Sequence, residues 1–351
     1  MSFEERVKAV GNFGFTERQA RFLVTVMLHS GVCLLRQYTT LAGLVHGQKT
    51  RKFFKKLVRR RLATSYTCRH NRGRIYHVRN KALYRAIGET DSRYRRPLSA
   101  ASVVQGLMRL DAVLASPALV WLATPEEKRA HLMSLTNIPV DRLPCGTAAS
   151  RTSDTARLFP DRDPIGIDLN GRWVVLYVAA GGCEDLRAFV QRHADLLTAL
   201  PAWTLRLALP PDLKTLDKSF TQVVEQELMT PLSPRAFDEL RWYFNQRRAS
   251  GGDRHRVADE ERFAYAKEAF AGPRFQLLYA RWLSQGDAVF DALQSRAIGE
   301  AIARGAGRIE TVVLPHQYRH LSPILGGVAR VDGVSVHSEN GPVELGIPSV
   351  G

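Results

Sequence analysis

The sequence predicts a mixed chain of the α/β (α+β) class, in which a helix-rich head precedes a small α/β sheet domain and a helical C-terminal part. Three observations predict it. Between Thr16 and Val78, three segments with helical apolar spacing are followed by two β-rich runs around His70-Asn71-Arg72-Gly73. From Pro164 to Leu209 the order reads strand, strand, helix, strand. Beyond Pro210 the spacing is helical almost to Arg304.

In the head, Thr16 and Gln19 form a capping box, with Phe15 placed as a hydrophobic staple. Phe22, Leu23, Val26 and Met27 give that helix one apolar stripe, and Gly31 ends it. A second short helix spans about Leu35 to Leu41, and Gly43 and His46-Gly47 form the turn before a third. The third helix runs from Gln48 to about Arg61. It turns Phe53, Phe54, Leu57 and Val58 inward and carries Lys49, Arg51, Lys52, Lys55, Lys56, Arg59 and Arg60 on its other face. Ala63 to Cys68 and Arg74 to Val78 then alternate as strands, with Arg69, Arg72 and Arg74 around the tip.

The 351 residues carry a net charge of +16, unevenly placed. Residues 1–97 hold 22 Lys and Arg against 5 Asp and Glu, leaving 28 and 29 in the remainder, so the head is at +17 and the body at −1. A charge run is ordinarily just a solvated face. Here the charges sit on a third helix and a hairpin in the order helix, helix, basic helix, basic hairpin. That is the order of a winged helix-turn-helix, in which one helix enters the major groove and the wing lies on phosphates. Double-stranded DNA is the expected partner. Gln48, Lys49, Thr50, Arg51 and Lys52, opening the third helix, are candidates for base edges. Lys55, Lys56, Arg59, Arg60, Arg69, Arg72 and Arg74 are candidates for phosphates.

The domain reading is 1–90 for the head, 91–98 for a basic linker, 99–210 for the α/β domain and 211–351 for the helical region with terminal β pieces. After the linker, Ser99 caps a helix to about Ala115 and Leu119 to Leu122 is a buried strand. Thr124-Pro125-Glu126-Glu127 starts another helix, and Asn137 to Pro164 is irregular. Ile165 to Asp168 and Trp173 to Ala179 flank the turn Leu169-Asn170-Gly171. A helix follows from Glu184 to about Leu200, then a strand from Trp203 to Leu209. Helices are expected over Leu213 to Met229, Pro234 to Arg247, Ala258 to Phe270, Arg274 to Leu283 and Ala288 to Arg304. Strands are expected over Arg308 to Leu314, Gly327 to Val336 and Val343 to Ile347.

No apolar run reaches the roughly 18 residues of a membrane span, and MSFEERVKAV lacks the apolar core of a signal peptide. A cytoplasmic, nucleoid-associated protein is expected. Cys33, Cys68, Cys145 and Cys183 are widely spaced, which suits reduced structural thiols better than zinc. No phosphate-loop motif occurs and no cofactor is called for. His316, Tyr318 and His320 form a polar cluster that lacks the further partners of a tyrosine nucleophile.

The order of elements from Pro164 to Leu209 resembles the core of the PD-(D/E)xK nuclease superfamily. That chemistry needs carboxylates on adjacent strands and a lysine. Asp163 or Asp168 can supply one, but the strand Trp173 to Val178 holds no D/E-x-K, so the resemblance implies a catalytically empty relative with no metal site. From 13 to 90 and 164 to 247, the stretches FGFTERQARFL, HGQKTRKFFKKLV, RGRIYHVRNKALYRAIGE and RHADLLTALPAWTLRLALP resemble winged-helix proteins of proteobacterial integrative and conjugative elements. The layout is also similar to the replication-relaxation family. The resemblance implies sequence-specific DNA binding in a mobile element, as a transcriptional regulator. A replication or transfer accessory factor at an origin is the alternative, and a metal-dependent nuclease a third. A homodimer, with the C-terminal region meeting partners, is expected.

Overall fold

A computed structural model of the chain describes residues 1–45, 47–68, 73–136, 138, 140, 143–144, 158–180, 183–250, 259–290, 293 and 296–321. Two sheets organise a mixed α/β architecture. The first is antiparallel, in the order β1 (Val32–Leu34), β3 (Arg74–Val78), β2 (Ala63–Thr67). Around it stand α1 (Phe3–Gly11), α2 (Glu17–His29), α3 (Leu35–Ala42), α4 (Gln48–Arg59) and α5 (Lys81–Ala86). Both α1 and β1 fall outside the elements expected from sequence. The signal for α1 was present: Ser2 and Glu5 form a capping box.

The period of two along the strands sends the side chains of this sheet into two different cores. Cys33, Tyr76 and Val78 join α2 and α4 on one face. Val32, Leu34 and Ile75 face α6 (Ala100–Leu114) on the other. Gly106 makes that approach possible, since a Cβ there would lie 3.1 Å from Val32 and 3.2 Å from the Ser30 carbonyl.

The second sheet runs β4 (Val120–Leu122), β5 (Ile165–Ile167), β6 (Trp173–Val178), β7 (Trp203–Leu209), β8 (Gly307–Val313). Its first three strands form an antiparallel meander, while β6, β7 and β8 are parallel. The helix α7 (Pro125–Leu135) follows β4, and α8 (Cys183–Ala199) joins β6 to β7. In β6, Trp173, Val175 and Tyr177 face α8 and α9 (Asp217–Leu228), while Leu176 and Val178 face α6. Both faces are covered, which is why the strand reads as one apolar run. A separate aromatic core unites α10 (Pro234–Ser250), α11 (Glu260–Ala269) and α12 (Pro273–Gln285) through Tyr243, Phe244, Phe270 and Trp282.

Two expected helices are corrected. Leu213 to Met229 opens as a 3₁₀ segment, Pro211–Leu216, before α9. Ala288 to Arg304 is not one helix: Gly286–Phe290 is 3₁₀, and α13 covers only Ala297–Ala303. The β pieces expected beyond Gly327 lie outside the described residues. Cys33 and Cys68 are buried free thiols, Cys183 is a partly exposed one, and Cys145 is not among the described residues. No helix among the described residues is long and apolar enough to cross a membrane.

Residues 91–98, expected as a linker, are held on both sides. Tyr94 is buried, its carbonyl 2.7 Å from His77 Nε2 of β3, and Arg93 donates to the carbonyls of Pro160 and Asp161. Gly31, at φ +71°, lies so close to Tyr94 that a Cβ would sit at 2.8 Å. Beneath this seam Arg109 of α6 pairs with Asp163 at 2.7 Å, with both side chains at 6% exposure or less. The other Asp163 oxygen accepts from the Val178 amide, and Lys128 donates to the Asp163 carbonyl.

His29, at the end of α2, lies in the same seam with Nδ1 unpartnered. Burial, reinforced by Arg109, Lys128 and Arg6, pushes its pKa from 6.5 down to about 3. Between those values the unfolded chain takes up a proton that the folded one refuses. Stability therefore falls as pH falls through this window, by up to about 1.4 kcal/mol per pH unit from this residue. His29→Phe is expected to flatten the difference in urea-unfolding free energy between about pH 7 and about pH 5 by that one proton. An unchanged pH slope would refute the assignment.

Candidate nucleic-acid interface

Gly43, at φ +60°, ends α3 in the left-handed conformation, and Gly47 stands at the N-cap of α4. Phe53 and Phe54 anchor α4. Phe53 lies 4.8 Å from Tyr38 of α3, and Phe54 lies 4.4 Å from Tyr76 of β3, measured between ring centroids. Phe22 of α2 closes the group at 6.3 to 6.5 Å. Offset and edge-to-face contacts of this kind add to simple burial, and they fix which face of α4 is left to water.

That face is cationic. Gln48, Arg51, Lys52, Lys55 and Arg59 are exposed, and their spacing places them on one stripe. Lys49 is exposed at its flank. Arg74 is exposed at the start of β3, while Arg69 and Arg72 lie outside the described residues. Three of the expected contacts need correction. Thr50 is buried at 2% exposure, on the side of Phe54 and Leu57, so it has no base edge within reach. Lys56 Nζ donates to the Gly14 carbonyl at 2.5 Å and stands 5.0 Å above the Phe15 ring. Arg60 donates to the Phe13 carbonyl at 2.6 Å over the same ring. Both fasten α4 to the α1–α2 connection, and neither belongs to the open stripe.

The stripe opposes helix stability. Lys49 and Arg51 stand in the first turn, where the macrodipole favours acids by about 0.3–1 kcal/mol each. Arg51–Lys55, Lys52–Lys56 and Lys55–Arg59 are like-charge pairs at i,i+4, each costing roughly 0.2–0.5 kcal/mol. No Asp or Glu occurs between Glu17 and Glu89, so the head has none nearby in sequence to relieve them. Mobile counterions screen that repulsion only in part, and an anion held along the stripe would lower it further. The same acid-free run holds exposed Arg61 before the β2–β3 hairpin and exposed Arg79, Lys81 and Arg85 after it, none of them among the positions expected to contact DNA.

The other candidate positions serve the fold. Asp163 is committed to Arg109 and the Val178 amide. Asp168 Oδ1 accepts from the amides of Asn170 and Arg172, shaping the β5–β6 turn. Among the described residues, no three His, Cys, Asp or Glu side chains converge as metal ligands. Tyr318 is buried, and its hydroxyl donates to Asp111 at 2.5 Å. Arg36 of α3 grips the same carboxylate through two bonds of 2.7 and 2.8 Å, and burial pushes the phenol pKa upward. This tyrosine clamps the chain near its last described residues onto α3 and α6. His316 and His320 are partly exposed beside it, whereas His255 and His337 lie outside the described residues.

No family model, curated protein or solved structure matches this chain.

Proposed function

We propose that this chain is a sequence-specific double-stranded DNA-binding protein whose head is a winged helix-turn-helix, acting as a transcriptional regulator of a mobile genetic element. One observation carries the reading. The stripe Gln48, Arg51, Lys52, Lys55 and Arg59 is open to solvent, free of acids and borne on the helix that follows the α3–α4 turn. The order of head elements, α2–β1–α3–α4–β2–β3 with a β1–β3–β2 sheet, supports it further.

In this reading α4 lies in the major groove. Arg51 and Lys52 hydrogen-bond guanine N7 and O6, and Gln48 pairs with adenine. Lys55, Arg59 and Arg74 meet phosphates. Val45, 92% exposed two residues before the N-cap, offers an apolar group to a thymine methyl. The α/β domain resembles an empty PD-(D/E)xK core and has a scaffolding role, since Asp163 and Asp168 spend their oxygens on protein partners. The α10–α12 lobe, with exposed Tyr265 and Leu283, serves homodimerisation or partner contact.

Sequencing the fragments that the full chain retains from sheared genomic DNA of its host tests the proposal. A shared motif overlapping a promoter as a palindrome is the expected result. An iterated array at an origin would instead make the protein a replication or transfer factor. Retention without enrichment would overturn sequence specificity, and plasmid cleavage dependent on Mg²⁺ or Mn²⁺ would overturn the non-enzymatic role.

A further inference from the structure

The four cations flanking the hairpin meet at one end of the head sheet. Pairing of Ala63 with Val78 brings the turn that leaves α4 beside the residues that leave β3. Asn80 joins the two: its Nδ2 donates to the Arg61 carbonyl at 3.3 Å, and its Oδ1 caps α5 by accepting from the amides of Ala82 and Leu83. Arg61 and Arg79 are therefore adjacent although 18 positions apart. Lys81 and Arg85, one turn apart on α5, lie on the side away from buried Leu83, Tyr84 and Ile87. All four are exposed, and among the described residues no ion pair of 4.0 Å or less involves any of them.

Two features set this ridge apart from an ordinary solvated surface. Lys81 occupies the first turn of α5, against the dipole, where an acid would be stabilising. Arg61 holds φ at +55°, a conformation that only a few per cent of non-glycine residues adopt. The distance also fits. From Arg74, at the wing end of β3, to Val78 is four strand steps, about 13 Å. That is close to the roughly 12 Å width of the major groove. That length would let a duplex seated on α4, with one phosphate wall at the hairpin tip, bring its other wall toward the hairpin's base.

We propose that Arg61, Arg79, Lys81 and Arg85 form a second phosphate-binding ridge, which grips the DNA strand opposite the one met by the wing. The inference rests on the reading of the head as a duplex-binding module and adds residues to it. The ridge makes no base contacts, so it strengthens binding to every sequence alike and lengthens the protected backbone on one flank.

The test uses the full chain and fluorescence anisotropy on a random-sequence duplex longer than two helical turns, titrated at several salt concentrations between about 50 and 200 mM. The triple variant Arg79→Gln, Lys81→Gln, Arg85→Gln is expected to bind more weakly and to lower the slope of log K against log[salt] by about 2.7, close to 0.9 per lost phosphate contact. The single Lys81→Gln variant lowers it by about 0.9, which keeps the test open should the triple variant fold poorly. Arg235→Gln, on the distant α10, leaves the slope unchanged. A ridge triple with the wild-type slope, while α4 variants lose theirs, overturns this proposal and leaves the head's reading standing. A wild-type chain that binds no duplex at about 50 mM salt overturns both. Hydroxyl-radical footprints should show the flank next to the α4 C-terminus exposed in the triple variant alone.

Discussion

Replacing Lys52, Lys55 and Arg59 together by alanine is expected to weaken binding to duplex DNA by roughly 10²–10³-fold near 0.1 M salt. The slope of log K against log[salt] should fall by about 1.8, because Lys55 and Arg59 each meet a phosphate and each lost phosphate contact releases about 0.9 fewer counterions, while Lys52 reads a base edge. The fold should survive. All three side chains point to water, and the change removes like-charge pairs that strain α4, so stability should hold or rise by a few tenths of a kcal/mol. Lys56→Ala makes the contrast. That side chain lies on the same helix but holds the Gly14 carbonyl and covers Phe15. Its loss should cost about 1 kcal/mol of stability and little affinity. If Lys56→Ala instead matches the effect of Lys55→Ala on the salt slope, the assignment of faces is wrong.

The largest effect on stability should come from Asp163→Ala. The change strands the Arg109 guanidinium in a site that is 1% exposed and leaves the Val178 amide without its acceptor. Breaking one side of a buried pair costs roughly 3–5 kcal/mol, because the remaining charge keeps its desolvation penalty and loses its partner. Asp163→Asn preserves shape and the bond to Val178 but not the charge, and should fall in between. Urea unfolding followed by fluorescence reads both. Arg109 also reaches the His29 carbonyl at 3.5 Å, so the variant should loosen the head from the sheet domain as well. An Asp163→Ala chain as stable as wild type would mean that the seam carries no such energy.

How much of this was readable in advance differs from element to element. The α4 stripe was legible because amphipathic spacing and charge coincide on the same residues. The burial of Thr50 was legible too, since positions 50, 54 and 57 share a helix face, although its polar side chain and early position suggested a base contact. The roles of Lys56 and Arg60 were not. Their partners are the Phe13 and Gly14 carbonyls, more than 40 positions earlier, and no local pattern announces such a pairing. The three-residue β1 offered too few alternations to be read, and it exists as a strand only because β3 provides its hydrogen-bonding partner. The ion cluster of Arg109, Lys128 and Asp163 was invisible for the same reason. Each member reads locally as a surface charge, and only the closing of α6 and α7 over the β5–β6 strands removes them from water.

The sequence by itself determined the class of the chain, the sites of most helices and strands, and a basic head on a neutral body. These follow from periodicity, capping and charge, which act between neighbours along the chain. Only the tertiary structure decided which cations face solvent, which ones brace the helix that carries them, and how residues 91–98 are fixed between head and sheet. Those outcomes depend on segments distant in sequence competing for the same side chain, and burial settles that competition only when the whole chain has closed.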